Sequence, residues 1–447
     1  MKQFRTPRLP DIAIIRLTWL TLALLAPATL LAQPDVDALR THADRLEQRI
    51  VELSAFGRNP EGGVSRVAFS PADLEGRAYV RSLMMQAGLT VRTDTAGNLI
   101  GRREGRENLP SIVFGSHIDS VPGGGNYDGD LGVIGAIEVV QVLQENDVKT
   151  RHPLEVVVFT DEEGGLSGSR AMVGKLGPDA LSETSHSGLT VAEGIRRIGG
   201  DPDRLAEAKR RSGDITAFIE LHIEQGAVLD EAGIDIGVVT GIVGIRWWDV
   251  VIDGMANHAG TTPMDKRRDA MLSAAELVLA INRVITSEPG AQVGTVGKIR
   301  AEPGAPNVIP GRVIMSLEIR DLSDKRILEM FRRVEAQAEE IASRRGTPIA
   351  FNRIDFDAEP APTDERVRAV IAAVAGKLGF SHRSMPSGAG HDAQDIAQIA
   401  PIGMIFVPSV GGISHSPREY TAPEDLAHGA DVLLHTVLAI DRGALAN

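Results

Sequence analysis

The stretch Ser111-Ile-Val-Phe-Gly-Ser-His-Ile-Asp-Ser120 combines an apolar run with a histidine and, two residues on, a carboxylate. A continuous apolar run of this length is typical of a strand that is buried on both faces of a parallel sheet. Side chains at positions i and i+2 share a face, so Asp119 is placed to accept a hydrogen bond from the ring of His117 and to turn its other nitrogen toward a cation. The alternative is a polar strand end without a ligand.

Three acids follow the next apolar run. Leu154-Glu-Val-Val-Val-Phe-Thr160 leads directly into Asp161, Glu162 and Glu163, which would repel one another strongly unless a positive charge lay nearby. We predict Glu163 as a metal ligand. We predict Glu162 as the general base, because metal-assisted hydrolysis needs a free carboxylate to take a proton from the attacking water.

Three more ligand-type residues occupy comparable settings. Asp128 ends a glycine-rich segment that would bring its carboxylate back toward His117, where it could bridge two cations. His222 ends a predicted strand, and His415 lies in a loop of small residues after another strand. In open parallel sheets, ligands bind at the carboxyl ends of the strands. A lone histidine at a strand end is more often structural than ligating, but this repeated pattern predicts a two-metal hydrolase.

Five segments resemble the M20 family of dinuclear metallopeptidase-like amidohydrolases, and more narrowly its carbamoylase branch. That branch contains N-carbamoyl-L-amino acid hydrolases, beta-ureidopropionases and allantoate amidohydrolases. The segments extend over most of the chain: Gly-Ser-His-Ile-Asp-Ser-Val-Pro (115–122), Glu-Leu-His-Ile-Glu-Gln-Gly (220–226), Asn-His-Ala-Gly-Thr-Thr-Pro-Met (257–264), Ser-Gly-Ala-Gly-His-Asp-Ala (387–393) and Pro-Ser-Val-Gly-Gly-Ile-Ser-His-Ser (408–416).

The resemblance implies two divalent metal ions, with Asp128 bridging them and Glu162 as base, and it implies the metal ligands His117, Asp128, Glu163, His222 and His415. The chain has no cysteine, so only imidazole and carboxylate remain as ligands, which suits Zn, Mn, Co or Ni.

The resemblance also implies substrate contacts. Gln225 would meet the carbamoyl or amide group, Asn307 and Arg320 would hold the substrate carboxylate, and Gly412 would contribute to substrate binding. His258 would help to stabilise the oxyanion, within one chain or across a dimer.

The residues alone leave alternatives open. The guanidinium of Arg320 has the planar fork that suits a carboxylate, but it could equally form a surface ion pair with Asp321. Without the resemblance, His258 and Asn307 would be ordinary turn residues. His391 and Asp392 are secondary site candidates, with a helix start as the alternative. Other histidines are interpreted as surface or core residues: His152, His186, His382, His428 and His435.

The activity implied by the resemblance is hydrolysis of the C–N bond of N-carbamoyl-L-amino acids to amino acid, CO2 and ammonia. The branch usually carries an Arg-Phe pair and a longer insert after Glu-Glu-Gly, where this chain has only Gly164-Gly-Leu-Ser-Gly-Ser169. Alternatives are therefore an allantoate amidohydrolase and an exported M20 aminoacylase or dipeptidase. A non-catalytic binding protein is disfavoured because Glu162 and all five ligands are present.

The N-terminus predicts export. Lys2, Arg5, Arg8 and Arg16 precede a mostly apolar run over residues 17–31, which predicts a signal peptide at residues 1–32 and a periplasmic protein. The run is shorter than the roughly 20 residues of a membrane span, so we expect no stable membrane anchor after processing. The net charge of −13 disfavours nucleic acid as a partner.

The order of predicted elements indicates two domains. Strands and helices alternate in residues 33–243 and again in 358–447, which predicts an α/β catalytic domain with a doubly wound, mostly parallel sheet. Residues 244–357 have the β-α-β-β-α-β order of a ferredoxin-like α+β unit, which we expect to be a lid and dimerisation domain inserted into the first. Its predicted elements are strand 246–253, helix 270–285, strands 292–299 and 312–319, helix 325–344 and strand 348–354. Closure of this lid would assemble the site, and we expect a homodimer.

Overall fold

Two β-sheets with their covering helices make up the fold. The computed structural model describes Met1, Gln3, residues 35–354 and residues 358–446. The strands are β1 Thr90–Thr93, β2 Leu99–Arg103, β3 Ser111–His117, β4 Leu154–Phe159, β5 Ile215–Ile223, β6 Ile236–Ile242, β7 Gly244–Asp253, β8 Asn257–His258, β9 Val293–Thr295, β10 Ile299–Glu302, β11 Val308–Ile309, β12 Arg312–Asp321, β13 Ile349–Arg353, β14 Ala361–Pro362, β15 His382–Ser387 and β16 Ile402–Val407.

The helices alternate with these strands. They are α1 Ala43–Leu53, α2 Pro71–Gln86, α3 Asp130–Glu145, α4 Glu162–Gly165, α5 Ser167–Val173, α6 Pro178–Ser182, α7 Val191–Arg197, α8 Val228–Ala232, α9 Ala270–Ile285, α10 Asp324–Arg345, α11 Glu365–Leu378, α12 Asp392–Ile396 and α13 Pro423–Asp441. Short 3-10 helices cover Pro202–Glu207, Met264–Lys266 and Val410–Gly412.

The larger sheet has a parallel centre. Its strand order is β1-β2-β4-β3-β5-β16-β6-β14, with β15 also paired to β6. Strands β4, β3, β5 and β16 are mutually parallel, and β2 and β6 run antiparallel to this group on its two sides. β1 is antiparallel to β2, and β15 is parallel to β6. Every residue of β3 and β4 is buried, as expected of strands covered on both faces. The predicted α/β class is confirmed.

Helices cover both faces of this sheet. Leu46 of α1, Val80 of α2, Ile137 of α3 and Leu433 of α13 belong to the apolar cluster on one face. Met172 of α5 and Ile396 of α12 belong to the cluster on the other face. The sheet is therefore doubly wound, and the ends of its parallel strands remain available for a site.

Local sequence explains where several helices begin. α2 starts at Pro71 after Ser70, whose hydroxyl accepts a hydrogen bond from the backbone of Asp73. α9 has the predicted bounds, since the carboxylate of Asp269 caps its first turn. α1 begins at Ala43 because the preceding residue, His42, is extended.

The second sheet belongs to the inserted residues. Its order is β10-β12-β7-β13, with β9 also paired to β12, and every pairing is antiparallel. α9 and α10 pack over it through a separate apolar cluster. This is the arrangement predicted for a ferredoxin-like unit.

One predicted strand of the insert is wrong in detail. The strand expected over residues 292–299 is divided into β9 and β10, both paired with β12. The break occurs because this segment has one more residue than the facing part of β12: Thr295 lies opposite Glu318 and Ile299 opposite Met315. Within it, the backbone N–H of Lys298 donates to the hydroxyl of Ser316 at 3.0 Å. A two-residue pairing of β8 with β11, which the sequence does not predict, holds His258 opposite Val308.

The first predicted domain boundary falls between strands of the two different sheets. β6 ends at Ile242 in the larger sheet and β7 begins at Gly244 in the smaller one. Residues 355–357, at the second predicted boundary, lie outside the described residues, as does the predicted signal peptide apart from Met1 and Gln3. Within the described ranges, the structure contains no helix with both the length and the apolar character to span a membrane.

Candidate metal centre

Five side chains converge at the carboxyl edge of the parallel strands. His117 ends β3, His222 is the penultimate residue of β5, and Glu163 lies in α4, directly after β4. Asp128 precedes α3, and His415 lies in the loop between β16 and α13. The fold therefore brings together the five residues predicted as metal ligands.

Asp128 lies at the middle of this group. Its Oδ1 atom is 3.2 Å from Nε2 of His222 and 3.7 Å from Nε2 of His117. Its Oδ2 atom is 3.2 Å from Nε2 of His415, and the same nitrogen is 3.4 Å from Oε1 of Glu163. Each carboxylate oxygen thus faces a different set of donors.

These donors form two groups that share one residue. One ligand atom each from His117, Asp128 and His222 lies within 4.8 Å of the others, and the same holds for Asp128, Glu163 and His415. Imidazole nitrogen and carboxylate oxygen are the donors that divalent zinc and related transition metals accept. The arrangement therefore fits two divalent cations bridged by Asp128.

The raised pKa values of the neighbouring carboxyl groups also fit a site that binds cations. Burial, reinforced by the charges of Glu163 and Asp392, raises the pKa of Glu162 well above its usual range. Burial and the neighbouring charge of Asp128 raise the pKa of Glu163 to about 8. A divalent cation among these carboxylates would remove the repulsion that disfavours their charged forms.

The pKa shifts of His117 and Asp128 follow from burial and from their neighbours. Burial lowers the pKa of His117 to about 4. Burial opposes ionisation of Asp128, but hydrogen bonds from His222 and His415 hold the pKa of this carboxyl well below its usual range. Asp128 is therefore a carboxylate, as a bridging ligand requires.

Glu162 lies beside the ligands without joining them. Its Oε2 atom is 3.7 Å from Nε2 of His117. It belongs to neither of the two donor groups built around Asp128. This is the position expected of a base that takes a proton from water held near those donors.

The backbone around Glu162 and Glu163 is strained. Asp161 and Leu166, on either side of α4, have φ values of 56° and 58°, which non-glycine residues rarely adopt. The hydroxyl of Ser167 donates to Oδ2 of Asp161 at 2.5 Å and secures the turn. Strain of this kind is concentrated at functional sites, where surrounding contacts maintain it.

The predicted role of Asp119 needs correction. The ring of His117 is oriented by the backbone carbonyl of Asp119, 2.9 Å from Nδ1, and the carboxylate of Asp119 lies 3.8 Å from that nitrogen. The carboxylate instead accepts hydrogen bonds from the backbone N–H groups of Glu162 at 3.2 Å and Glu163 at 3.1 Å. Asp119 therefore positions the candidate base Glu162 and the candidate ligand Glu163, because its carboxylate contacts the segment that follows β4.

A glycine permits the close approach of Asp128 to the histidines. Gly129 has φ 68°, and a Cβ atom there would lie 2.4 Å from the ring of His117. Its backbone nitrogen lies 3.2 Å from Nε2 of His222. The segment between β3 and α3 thus needs glycine at this position.

A cavity of about 370 Å³ opens over the carboxylates. Its wall combines metal-site residues with residues of the inserted domain, among them Asp128, Glu162, Gln225, Trp247, Arg320 and His391. A second cavity, of about 680 Å³, adjoins the first at Gln225 and His415, and Gly412 lies in its wall.

Gln225 contacts the centre directly. Its side-chain amide donates to Oδ2 of Asp128 at 2.7 Å, and its backbone has φ 61°. The amide oxygen of Gln225 is buried and has no hydrogen-bond partner among the described residues. It is an acceptor that a substrate N–H could satisfy.

Arg320 reaches the cavity from β12. Its Nε and Nη2 atoms donate to the carboxylate of Glu318 at 2.8 and 3.1 Å, and Nη1 donates to the carbonyl of Gly388 at 2.8 Å. The ion pair considered with Asp321 is replaced by this one with Glu318. Glu318 and Arg320 are two residues apart on a strand and share a face.

His258 and Asn307 lie elsewhere in this protomer. Both are exposed near the β8–β11 pair, and neither lines the cavities that contain Asp128 or Gly412. Nδ1 of His258 accepts from the backbone N–H of Gly260 at 3.0 Å, and the carbonyl of Asn307 accepts from Ala259. The structure does not bring these two residues to the metal ligands within one chain.

His391, the secondary candidate, adjoins the centre. Its ring centroid lies 4.6 Å from that of His222, and its Nε2 atom is 2.8 Å from the hydroxyl of Ser387. Glu220, His222 and His391 form a further group of potential ligands. Asp392 is fully buried behind them.

The sequence reasoning missed several residues that support the centre. Glu419 and Ser414 contact Asp128 or its backbone from the loop that carries His415. Arg66, fully buried, donates to both oxygens of Asp130 and to the carbonyl of Ile118. The charged residues of this set lie in or next to loops, where no periodic pattern marks them.

A separate group of potential ligands contains a histidine that the sequence analysis interprets as a surface or core residue. His428 groups with Asp235 and Asp425.

The fold and the donor set define a class of protein: a metal-dependent hydrolase whose α/β catalytic domain carries an inserted ferredoxin-like domain and donors suited to two metals. Residues 113–439 match peptidase family M20/M25/M40, and the chain belongs to this family, which is metal-dependent.

Close relatives extend over nearly the whole chain. It is 45% identical over 406 residues to an N-carbamoyl-L-amino acid amidohydrolase of Geobacillus stearothermophilus, covering 90% of this chain and 99% of the relative. A ureidoglycolate hydrolase of Arabidopsis thaliana is 41% identical, over 90% of this chain and 87% of its own. An allantoate amidohydrolase of Bacillus subtilis is 38% identical, over 85% and 93%.

A solved structure confirms the fold. An amidase of the hydantoinase/carbamoylase family from Burkholderia multivorans superimposes with a TM-score of 0.83 at 37% identity, covering 90% of this chain and 98% of that one. The resemblance to the carbamoylase branch is confirmed.

Proposed function

We propose that the protein hydrolyses the C–N bond of N-carbamoyl-L-amino acids, consuming one water and releasing the amino acid, CO2 and ammonia. The chain is an amidohydrolase that acts on linear amides other than peptide bonds. The observation that carries the proposal is the position of Glu162, an acid whose side chain is 9% exposed, 3.7 Å from His117 and outside both donor groups. The relative with 45% identity supports the substrate class.

In the proposed reaction, five residues hold the metal ions and Glu162 transfers the proton. His117, Asp128 and His222 would hold one divalent ion, and Asp128, Glu163 and His415 the other. When bound, the ions polarise the substrate carbonyl and lower the pKa of the attacking water. Glu162 takes the proton from that water through Oε2 and returns it to the leaving nitrogen.

Other residues orient the substrate in this proposal. The unpartnered amide oxygen of Gln225 accepts an N–H of the carbamoyl group. Arg320 holds the α-carboxylate, with its guanidinium fixed in the cavity by Glu318 and Gly388. Gly412 lies in the wall of the adjoining cavity, where it would line the approach to His415.

We also propose that the protein is a homodimer whose inserted domain acts as a lid. His258 and Asn307 lie outside the cavity of their own chain, which supports a role that depends on lid closure or on the partner chain. The inserted domain also exposes Met264, Leu272 and Leu279, apolar side chains of the kind found at subunit interfaces.

We also propose that the protein is exported to the periplasm. The basic residues and apolar run at the N-terminus support a signal peptide over residues 1–32 and a periplasmic location. Expression of the full chain, followed by N-terminal sequencing of protein recovered from the periplasm, tests it. An intact Met1 in the cytoplasmic fraction alone would contradict it.

A second candidate function is hydrolysis of allantoate. The relative from Bacillus subtilis supports it. The segment after Glu163, where this chain departs from the carbamoylase branch, also lines the cavity.

A substrate panel tests these proposals together. Purified protein loaded in turn with Zn, Mn, Co or Ni is assayed for ammonia release from N-carbamoyl-L-amino acids, their D-isomers and allantoate, and for amino acid release from dipeptides. We expect the highest kcat/KM for N-carbamoyl-L-amino acids. Activity on dipeptides alone, without ammonia from any ureido compound, would overturn the proposal.

A further inference from the structure

Glu419 accepts hydrogen bonds from two loops of the metal centre. Its side chain is 4% exposed. Oε1 accepts from the backbone N–H groups of Tyr127 at 2.8 Å and Asp128 at 3.1 Å. Oε2 accepts from the hydroxyl of Ser414 at 2.8 Å and from the backbone N–H of His415 at 3.3 Å. Four donors converge on one carboxylate, which suits its charged form.

Two of these donors belong to potential metal ligands on different loops. Asp128 precedes α3, and His415 follows β16, so their relative position depends on contacts between the loops. Ser414 strengthens this link, because its hydroxyl is 2.8 Å from Oε2 of Glu419 and 3.0 Å from Oδ2 of Asp128. The single hydroxyl proton is shared between the two carboxylates.

The packing around Glu419 is close. A Cβ atom on Gly125 would lie 2.1 Å from Oε1 of Glu419, so the loop before Asp128 can enclose the carboxylate only with glycine there. The next residue, Tyr420, packs edge-on against Tyr127 with ring centroids 5.8 Å apart. The same two loops are therefore joined twice, by the carboxylate and by the ring pair.

Glu419 has no place in the chemistry itself. It belongs to none of the groups of potential ligands found among the described residues, and it does not line either cavity at the centre. It touches backbone and hydroxyl groups, so any influence on the metals passes through Asp128 and His415.

We infer that Glu419 is a positioning residue that fixes Asp128 and His415 relative to each other and thereby selectively sets the affinity of the metal site formed by Asp128, Glu163 and His415. Two of the three ligands of this site depend on Glu419, whereas His117 and His222 of the other site do not contact it. The inference rests on the proposed dinuclear function.

Metal titration of the chelator-treated protein tests it with a readout independent of activity. Zn²⁺ is titrated into wild type, Glu419→Gln and the control Glu155→Gln, with calorimetry and a competing chelator. Gln keeps the shape of Glu419 but presents an NH2 group to one of the two donor pairs. Loss of a residue that orients a ligand lowers metal affinity by about 10- to 100-fold. We expect that loss for one of two ions in Glu419→Gln and affinities within about 3-fold of wild type in the control.

The outcomes separate this inference from the proposed function. Wild type that binds two ions while Glu419→Gln, folded by circular dichroism, binds both with unchanged affinity overturns the inference alone. Wild type that binds no ion overturns the proposed function. If Glu419→Gln does not fold, Glu419→Asp carries the test, because it keeps the charge but is one methylene too short to reach both donor pairs. A selective loss of affinity for the second ion then supports the inference, and two unchanged affinities overturn it.

Discussion

Oε2 of Glu162 lies 3.7 Å from Nε2 of His117, within reach of the space that the metal ligands enclose but outside their donor groups. The backbone of Glu162 is fixed by the carboxylate of Asp119, which accepts its N–H at 3.2 Å. The proposed base, Glu162, and a proposed metal ligand, Glu163, thus occupy adjacent positions in one turn. Substitution of Glu162 should therefore affect activity alone, whereas substitution of Glu163 should affect both activity and metal binding.

Glu162→Gln should lower kcat by about 10²- to 10⁴-fold, the usual contribution of a general base, without loss of metal. Glu163→Gln is the matched comparison, since it should lose an ion as well as activity. Ammonia release and metal content of the two purified variants provide the check. Near-wild-type activity of Glu162→Gln would assign the base elsewhere.

Removal of the metals should destabilise the protein. Burial and the charge of Asp128 raise the pKa of Glu163 to about 8, which reflects crowding of carboxylates that a cation would relieve. A ligand present at 100 times its Kd stabilises the folded state by about 2.7 kcal/mol, so Tm should fall by several degrees after chelation and recover on adding Zn or Mn. A Tm that is indifferent to chelator and metal would contradict the dinuclear site.

Arg320→Lys should raise KM for an N-carbamoyl amino acid by about 10-fold or more, because lysine cannot reproduce the planar fork that grips a carboxylate. The carboxamide analogue of the same substrate is the control. Wild type should strongly prefer the acid, and the variant should lose most of that preference. An equal preference in both proteins would remove Arg320 from carboxylate recognition.

If His258 acts across a dimer, two inactive variants should complement each other. A refolded equimolar mixture of Glu162→Gln and His258→Ala forms mixed dimers in which one site has both groups intact. Random assortment predicts recovery of about a quarter of wild-type activity. Each variant refolded alone is the control. A mixture no more active than its components would restrict His258 to its own chain or to a structural role.

Glu155 provides a stability prediction away from the metals. Its carboxylate, 4% exposed, accepts from Arg102 at 2.7 Å, Ser111 at 2.9 Å and Arg210 at 2.5 Å. Burial opposes ionisation, but Arg210, Ser111 and Arg102 together lower the pKa of Glu155. Glu155→Gln should cost about 2 kcal/mol at pH 7, less than for a fully buried pair because Arg102 is partly exposed.

The pH dependence of that cost has a defined sign. A carboxyl whose pKa is lower in the folded state stabilises the fold above its unfolded pKa, and this contribution disappears as the pH falls through the folded pKa. The difference between wild type and Glu155→Gln in urea unfolding should therefore shrink at acid pH. A difference that is unchanged down to the lowest pH at which both proteins fold would contradict the assignment.

Much of the fold follows from local sequence signals. Asp269 and the apolar periodicity of the following residues predict helix Ala270–Ile285 with the observed bounds. The apolar runs that end at His117 and before Glu162 predict buried parallel strands, and the topology of such sheets predicts that their ends meet. This is why ligands far apart in the chain could be recognised together.

The rest depends on contacts that no local pattern marks. One extra residue opposite β12 interrupts a predicted strand, and the backbone carbonyl of Asp119 takes the role predicted for its carboxylate. No sequence pattern distinguishes Glu318, which pairs with Arg320, from other acidic residues on strands. Glu419 acts through backbone N–H groups of a distant loop, which its own neighbours in the sequence do not reveal.

The most direct test of the dinuclear centre is ammonia release from an N-carbamoyl-L-amino acid as Mn²⁺ is added back to the metal-free protein. Activity should rise with added metal and level off at two ions per chain, as expected for donor groups that share Asp128. Full activity without metal, or a plateau at one ion per chain, would contradict a paired-metal hydrolase.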